Sequence, residues 1–234
     1  MNKINQILLR LLKIKKITEI TEINKRLNQK ESELQTIQKQ FDQINQEKLQ
    51  KEKQLKLDLE KIQQYPTTLQ FSVTYKGVNC QVTEGGKVVE CPGSSTYYCL
   101  CEQAIPNTGK ILFAFQILSL TPNMLIGIGF RDIIQKNNYQ NVGVGYGSYM
   151  IHQNGYTYSH HNKDVNNKQL SYTYTTNDII IMEVSIEHKY IKWTQQNNPL
   201  TTVMEIDTSI SQELYPCLLI YQSSEVKILG NIPN

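Results

Sequence analysis

Five cysteines and four histidines are the side chains of this sequence best suited to chemistry. The cysteines stand at positions 80, 91, 99, 101 and 217, and Cys99-Leu-Cys101 would place two thiols on one face of an extended strand. Zinc sites usually leave two to four residues between paired sulfurs, so this spacing predicts two buried core thiols instead of a metal centre. An odd cysteine count without an obvious secretory leader points to a reducing, cytoplasmic setting. His160 and His161, with Asp164 close by, form the one histidine cluster. On a strand, adjacent side chains point to opposite faces and do not chelate one ion. No Ser-His-Asp order with a nucleophile elbow occurs. Gly127, Gly129, Gly143, Gly145 and Gly147 precede no helix that could cradle a phosphate, and they predict close strand packing. The expectation is no catalytic residue, no metal, no cofactor and no enzyme.

Binding is the chemistry that remains. All 14 tyrosines lie at or beyond Tyr65, and tyrosine offers large, rigid contact area at small entropic cost. Tyr149, Tyr156 and Tyr158 neighbour turn residues, and Arg131-Asp132 directly follows an apolar run ending at Phe130. These five residues are the candidate partner-binding set.

The elements that must position them divide the chain in two. All 12 glycines, 7 prolines and 5 cysteines also lie beyond Tyr65, so residues 1–64 permit one uninterrupted helix of about 96 Å. Its apolar residues recur three and four apart, most regularly at Ile20, Ile23, Leu27, Leu34, Ile37, Phe41 and Ile44. That spacing is the seam of a coiled coil and predicts self-association. The register slips between Ile14 and Ile20, and Lys30, Lys48, Lys51 and Asp58 interrupt the stripe. Lys3, Arg10, Lys13, Lys15 and Lys16 make the first 18 residues basic, which suits a membrane-surface helix, a targeting segment or the opening turns of the coil.

From residue 66 to about 230 the pattern is short apolar runs between turn residues, which predicts an all-β antiparallel sandwich with no helix-length periodic segment inside it. Expected strands include Leu69–Tyr75, Val142–Tyr146, Met150–His152, Tyr156–His160 and Leu170–Tyr174, and alternate residues such as Ile180, Met182, Val184 and Ile186 should face inward. Asn154-Gly155 is the strongest hairpin signal, since both residues tolerate positive φ.

Four blocks then stand in a telling order. Ile111-Leu-Phe-Ala-Phe-Gln-Ile117 precedes Met124-Leu-Ile-Gly-Ile-Gly-Phe130. Asn141-Val-Gly-Val-Gly-Tyr-Gly-Ser148 precedes Gln153-Asn-Gly-Tyr156. Asn177-Asp-Ile-Ile180 leads to Ile191-Lys-Trp193, and Leu214-Tyr-Pro-Cys217 comes last. Together they resemble SPRY (B30.2-like) domains over roughly Thr67 to Leu229, with Asn177 where that family usually has glycine. The resemblance implies a peptide-binding surface made by loops at one end of the sandwich, and a core role for Trp193. A coil leading into such a domain also resembles the C-terminal part of tripartite-motif proteins, although the closely spaced Cys/His ligands of a RING or B-box are missing.

A net charge of +3 gives no reason to expect nucleic acid, and no apolar run reaches the roughly 18–20 residues of a bilayer span. The reading is a protein-interaction adaptor that self-associates and binds a protein or peptide partner. The alternatives are a structural subunit whose helix docks into a larger assembly, and a carbohydrate-binding sandwich hinted at by Asn137, Asn138 and Tyr139.

Overall fold

A computed structural model of the chain describes residues 3–60, 62–64, 68–121, 123–143, 145–198 and 200–232. They fall into two compact units, Met1–Leu59 and Glu60–Asn234.

The first unit is helix α1, Lys3–Glu60, 58 residues long. Its straight-chain Lys, Glu, Gln and Leu residues favour helix, and no glycine or proline interrupts them. Arg26–Glu22, Lys30–Glu33 and Lys48–Glu52 pair along its surface, but ion pairs this exposed contribute little. Every side chain from Ile4 to Leu55 is exposed, including the whole stripe from Ile20 (56%) to Ile44 (62%). The expected helix runs too far by a few residues, because 62–64 form a strand. The expected break at Tyr65-Pro66 lies outside the described residues.

The second unit contains fifteen strands and one short α-helix among its described residues. In chain order these are β1 Ile62–Gln64, β2 Phe71–Lys76, β3 Gln81–Thr83, β4 Val88–Glu90, β5 Tyr97–Cys101 and β6 Lys110–Ser119. There follow β7 Leu125–Phe130, α2 Arg131–Lys136, β8 Ser148–His152, β9 Tyr156–Tyr158 and β10 Lys168–Gln169. The last five are β11 Ile179–Ser185, β12 Tyr190–Gln195, β13 Thr201–Glu205, β14 Leu214–Ile220 and β15 Glu225–Ile228. One sheet has the order β13-β12-β11-β6-β15-β4-β3, with β1 paired parallel to the start of β6. The other has the order β10-β9-β8-β7-β14-β5-β2. All ladder pairings except that of β1 are antiparallel, so the sandwich expected from the sequence is present.

Alternation sets the core. On β11, Ile180, Met182 and Val184 are buried and Ile186 packs against the same cluster. Phe71 stacks on Phe115 from the facing sheet at 5.7 Å. Trp193, fully buried on β12, reaches across to donate its indole N–H to Ile126 O on β7 at 3.2 Å. Cys99 and Cys101 both point inward and are fully buried, as their spacing predicts.

Four expectations fail locally. Helix α2 lies inside the stretch expected to be free of helix; six residues are too few for periodicity to reveal. The described part of Val142–Tyr146 is bend and turn, while Val144 lies outside the described residues. Leu170–Tyr174 is not a strand: it passes the β8–β9 hairpin with Ser171 N–H and Tyr174 N–H bonding to Gly155 O and Gln153 O, and the Tyr174 hydroxyl donating to Ile151 O. The strand expected to reach His160 stops at Tyr158. The hairpin itself forms, but only Gly155 adopts positive φ (+82°) and Asn154 does not.

Candidate functional site

Strand β7 leads straight into α2, and the two glycines of Gly127-Ile-Gly129 explain how α2 can lie on the sheet. Both face away from the core. A Cβ on Gly129 would stand 2.5 Å from Ile134 Cδ1, and one on Gly127 would stand 1.8 Å from Tyr149 O. Ile134 therefore settles against the outer side of the second sheet, in a cluster with Tyr98, Leu100, Leu125, Met150, Tyr215, Cys217 and Leu219. This face carries a second apolar core of its own.

Arg131 opens α2, and its guanidinium is held between two rings, 3.7 Å from the Tyr75 centroid and 3.4 Å from that of Tyr215. Nη2 donates to Cys101 O at 2.8 Å and Glu102 O at 3.0 Å, while Nε is buried without a partner. Tyr215 donates its hydroxyl to Glu213 Oε2 at 2.5 Å. Burial, and then that bond, push the Tyr215 hydroxyl up to about 12 against the opposing pull of Arg131. Asp132 is exposed in the first turn of α2, where a negative charge suits the helix dipole.

At the same end of the sandwich is a cleft of about 360 Å³. Phe130, Ile186, Ile210 and Leu214 give it apolar walls, and Asn107, Asp207, Gln212 and Glu213 give it polar ones. Oε1 of Gln212 is buried and has no hydrogen-bond partner, which leaves an open acceptor. Phe130 meets Tyr149 and His160 edge-on, at 6.2 Å and 5.3 Å between centroids. The hydroxyl of Tyr149 accepts from Asp207 N–H at 2.9 Å and pairs with His161 Nδ1 at 3.2 Å. His160 Nδ1 accepts from Gly147 N–H at 2.9 Å. Hydrogen bonds from Ser209, with His161 and His160 nearby, hold the Asp207 carboxyl below its usual range. The two imidazoles thus serve different partners, and no group of three or more His, Cys, Asp or Glu side chains among the described residues is placed to hold a metal. The cleft can accept a side chain and hydrogen-bond donors from a bound segment.

Neither a protein-family model nor a curated protein sequence matches the chain. Solved structures do. The SPRY domain of human HERC1 is similar with a TM-score of 0.57 at 18% identity, over 70% of this chain and 99% of that one. The TRIM65 PSpry domain gives 0.53 at 13% identity, over 75% and 97%, and stonustoxin gives 0.54 at 13%, over 71% and 27%. The sandwich has the SPRY fold.

On this SPRY sandwich the five candidate residues do not form one patch. Arg131 and Asp132 are adjacent at the end of β7. Tyr149 is fully buried among core residues, a correction to its expected exposure. Strand β8 starts at Ser148, two residues earlier than expected, and that shift turns Tyr149 inward. Tyr156 (36% exposed) and Tyr158 sit on β9, where Tyr158 donates to Asn167 Oδ1 at 3.1 Å. Strand β9 is three strand spacings from the β14 of Tyr215, about 14 Å. Sequence reasoning missed Tyr75, Asp207, Gln212 and Glu213. Tyr215 was in view within Leu-Tyr-Pro-Cys, but nothing in that motif signals its arginine partner.

Among the described residues, no helix is long and apolar enough to cross a membrane.

Proposed function

We propose that the chain is a non-enzymatic interaction adaptor. Helix α1 self-associates through the Ile20–Ile44 stripe, and the SPRY sandwich binds a protein or peptide segment in the cleft between Phe130 and Glu213. The observation that carries this reading is the cleft itself, where an apolar wall of Phe130, Ile186, Ile210 and Leu214 stands beside acceptors at Asp207, Gln212 and Glu213. That mixture suits an extended segment with one apolar side chain and a basic or amide-bearing neighbour. Linking two such sites through a helical dimer would raise avidity for a multivalent target by about 10²–10⁴.

Panning a displayed random-peptide library on the immobilised full chain tests the proposal. The wild type should enrich peptides that the Gln212→Ala, Glu213→Ala double variant releases. Equal enrichment of the same peptides by both would remove the cleft from the account.

A further inference from the structure

Outside the cleft, a second group of side chains has an arrangement suited to covalent chemistry. Strands β3 and β4 form an antiparallel hairpin with the register Gln81↔Glu90, Val82↔Val89 and Thr83↔Val88. Extending that ladder by one residue sets Cys80 opposite Cys91. Opposed residues on antiparallel strands have Cα atoms about 4.5–5.5 Å apart, within the roughly 4.4–6.8 Å that a disulfide spans. Both thiols belong to the same core cluster, and each shifts the acidity of the other. Both are unbonded cysteines. We propose that Cys80 and Cys91 are a redox-responsive pair that closes into a cross-strand disulfide when the protein meets a hydroperoxide.

The surroundings divide the labour between the two sulfurs. The Cys80 thiol beside it lowers the Cys91 thiol below its ordinary value, with the Gly93 backbone and Lys76 adding to the effect against burial. Cys91, together with burial, pushes Cys80 up. Lys76 is fixed beside the pair by donating from Nζ to Cys80 O at 2.5 Å. Cys91 Sγ also lies 3.8 Å from Ser95 O, a weak contact that reaction would release. A thiolate near a cation is the reactive form of cysteine, so Cys91 attacks first. Its sulfur takes the terminal oxygen of the hydroperoxide as the O–O bond breaks, leaving a sulfenic acid and, after protonation, an alcohol or water. Cys80 sulfur then displaces that oxygen: the S–S bond forms, the S–O bond breaks, and water leaves with the Cys80 proton. The two thiols lose two electrons in all, and the hydroperoxide gains them.

Cys80 and Cys91 are 1% and 0% exposed, so the oxidant must enter by local opening. The hairpin suits this: β3 is three residues long, lies at the sheet edge and, among the described residues, pairs with β4 alone. Short edge segments open at the low end of a protein's stability range. Cys99 is on β5 of the other sheet, where burial pushes it up.

The test treats the reduced full chain with hydrogen peroxide and follows intact mass and peptide mapping. The expected result is loss of two hydrogens and a single cross-link joining the peptides of Cys80 and Cys91. Cys80→Ser should instead retain a dimedone-reactive sulfenic acid at Cys91, and Cys99→Ser should still form the cross-link. A cross-link from Cys91 to Cys99, or a wild-type chain that keeps its dimedone-reactive acid or remains fully reduced, would overturn the proposal. The wild-type measurement needs no variant to fold.

Discussion

The guanidinium carbon of Arg131 lies 3.4 Å from the centre of the Tyr215 ring, and the Tyr75 ring closes its other face at 3.7 Å. With Nη2 bonded to the carbonyls of Cys101 and Glu102, this one side chain ties α2, β2, β14 and the end of β5 together. Its charge is used within the domain, so Arg131 acts first as a structural clamp beside the cleft.

Arg131→Lys should therefore destabilise the sandwich despite keeping the charge. An ammonium cannot fill a planar slot between two rings or reproduce the forked donors. A desolvated cation–π contact contributes about 2 kcal/mol, and hydrogen bonds to charged groups are of similar size. The expected loss is about 2 kcal/mol, read from urea unfolding by the fluorescence of the single, buried Trp193. An unchanged midpoint would refute the clamp.

The paired glycines of β7 should differ in tolerance. A Cβ at Gly127 meets the Tyr149 backbone oxygen at 1.8 Å, and backbone in a ladder cannot yield. A Cβ at Gly129 meets first the far end of Ile134 at 2.5 Å and then Cys217 Sγ at 3.1 Å. Gly127→Ala should cost more than about 3 kcal/mol and Gly129→Ala about 1–2, in line with overpacking. Gly230→Ala, with nothing within 4 Å, should fall within about 0.5 kcal/mol of wild type. Equal losses at 127 and 129 would contradict the packing described.

Stability should fall as the solution is acidified below neutrality. Burial holds His160 below the usual imidazole range, helped by Lys163 and His161, and burial does the same to His152. Each Nδ1 accepts a backbone N–H, from Gly147 at 2.9 Å and Asn154 at 3.1 Å, a role that suits the neutral ring. The unfolded chain takes up these protons near its unperturbed pKa of about 6.5, before the folded one does. Stability is thus fully present above that value and is lost as pH drops through it. Asp207, also with a lowered pKa, acts in the same direction at lower pH: its contribution is lost only in the acid range, below the ordinary carboxylate value. Urea midpoints between about pH 7.5 and 5 should decline, and the His152→Gln, His160→Gln variant should flatten the slope whatever its absolute stability.

Helix α1 supplies the last prediction. Ile23 and Ile37 are 62% and 61% exposed on the stripe, and a helix exposed on every side from Ile4 to Leu55 has little tertiary stabilisation there. The full chain should sediment as a dimer or larger at micromolar concentration. Ile23→Lys with Ile37→Lys should yield a monomer with reduced helical ellipticity, whereas Gln35→Lys, off the stripe, should change neither. A monomeric wild-type chain would remove avidity from the proposed function.

Much of this was written locally. The absence of glycine and proline through residue 60 permits α1, and strict alternation on β11 and β12 fixes which residues face inward. The Cys99–Cys101 spacing likewise fixes two thiols on the core side. Asn177, standing where SPRY domains usually have glycine, adopts φ +72°; asparagine is the side chain best able to replace glycine there. Such features depend on periods of 2 and 3.6 and on single-residue backbone preference, so they survive without knowledge of the partner strand. Strand limits are another matter. A two-residue difference at the start of β8 moved Tyr149 from the expected surface to the core, because ladder pairing with β7, not local propensity, sets where a strand begins. Parallel pairing of Ile62–Gln64 with β6, the Arg131–Tyr215 clamp, and the meeting of Asp207 with Tyr149 all join residues that sequence order keeps apart. Only closure of the two sheets brings them within reach, and contact at long separation has no periodic signature.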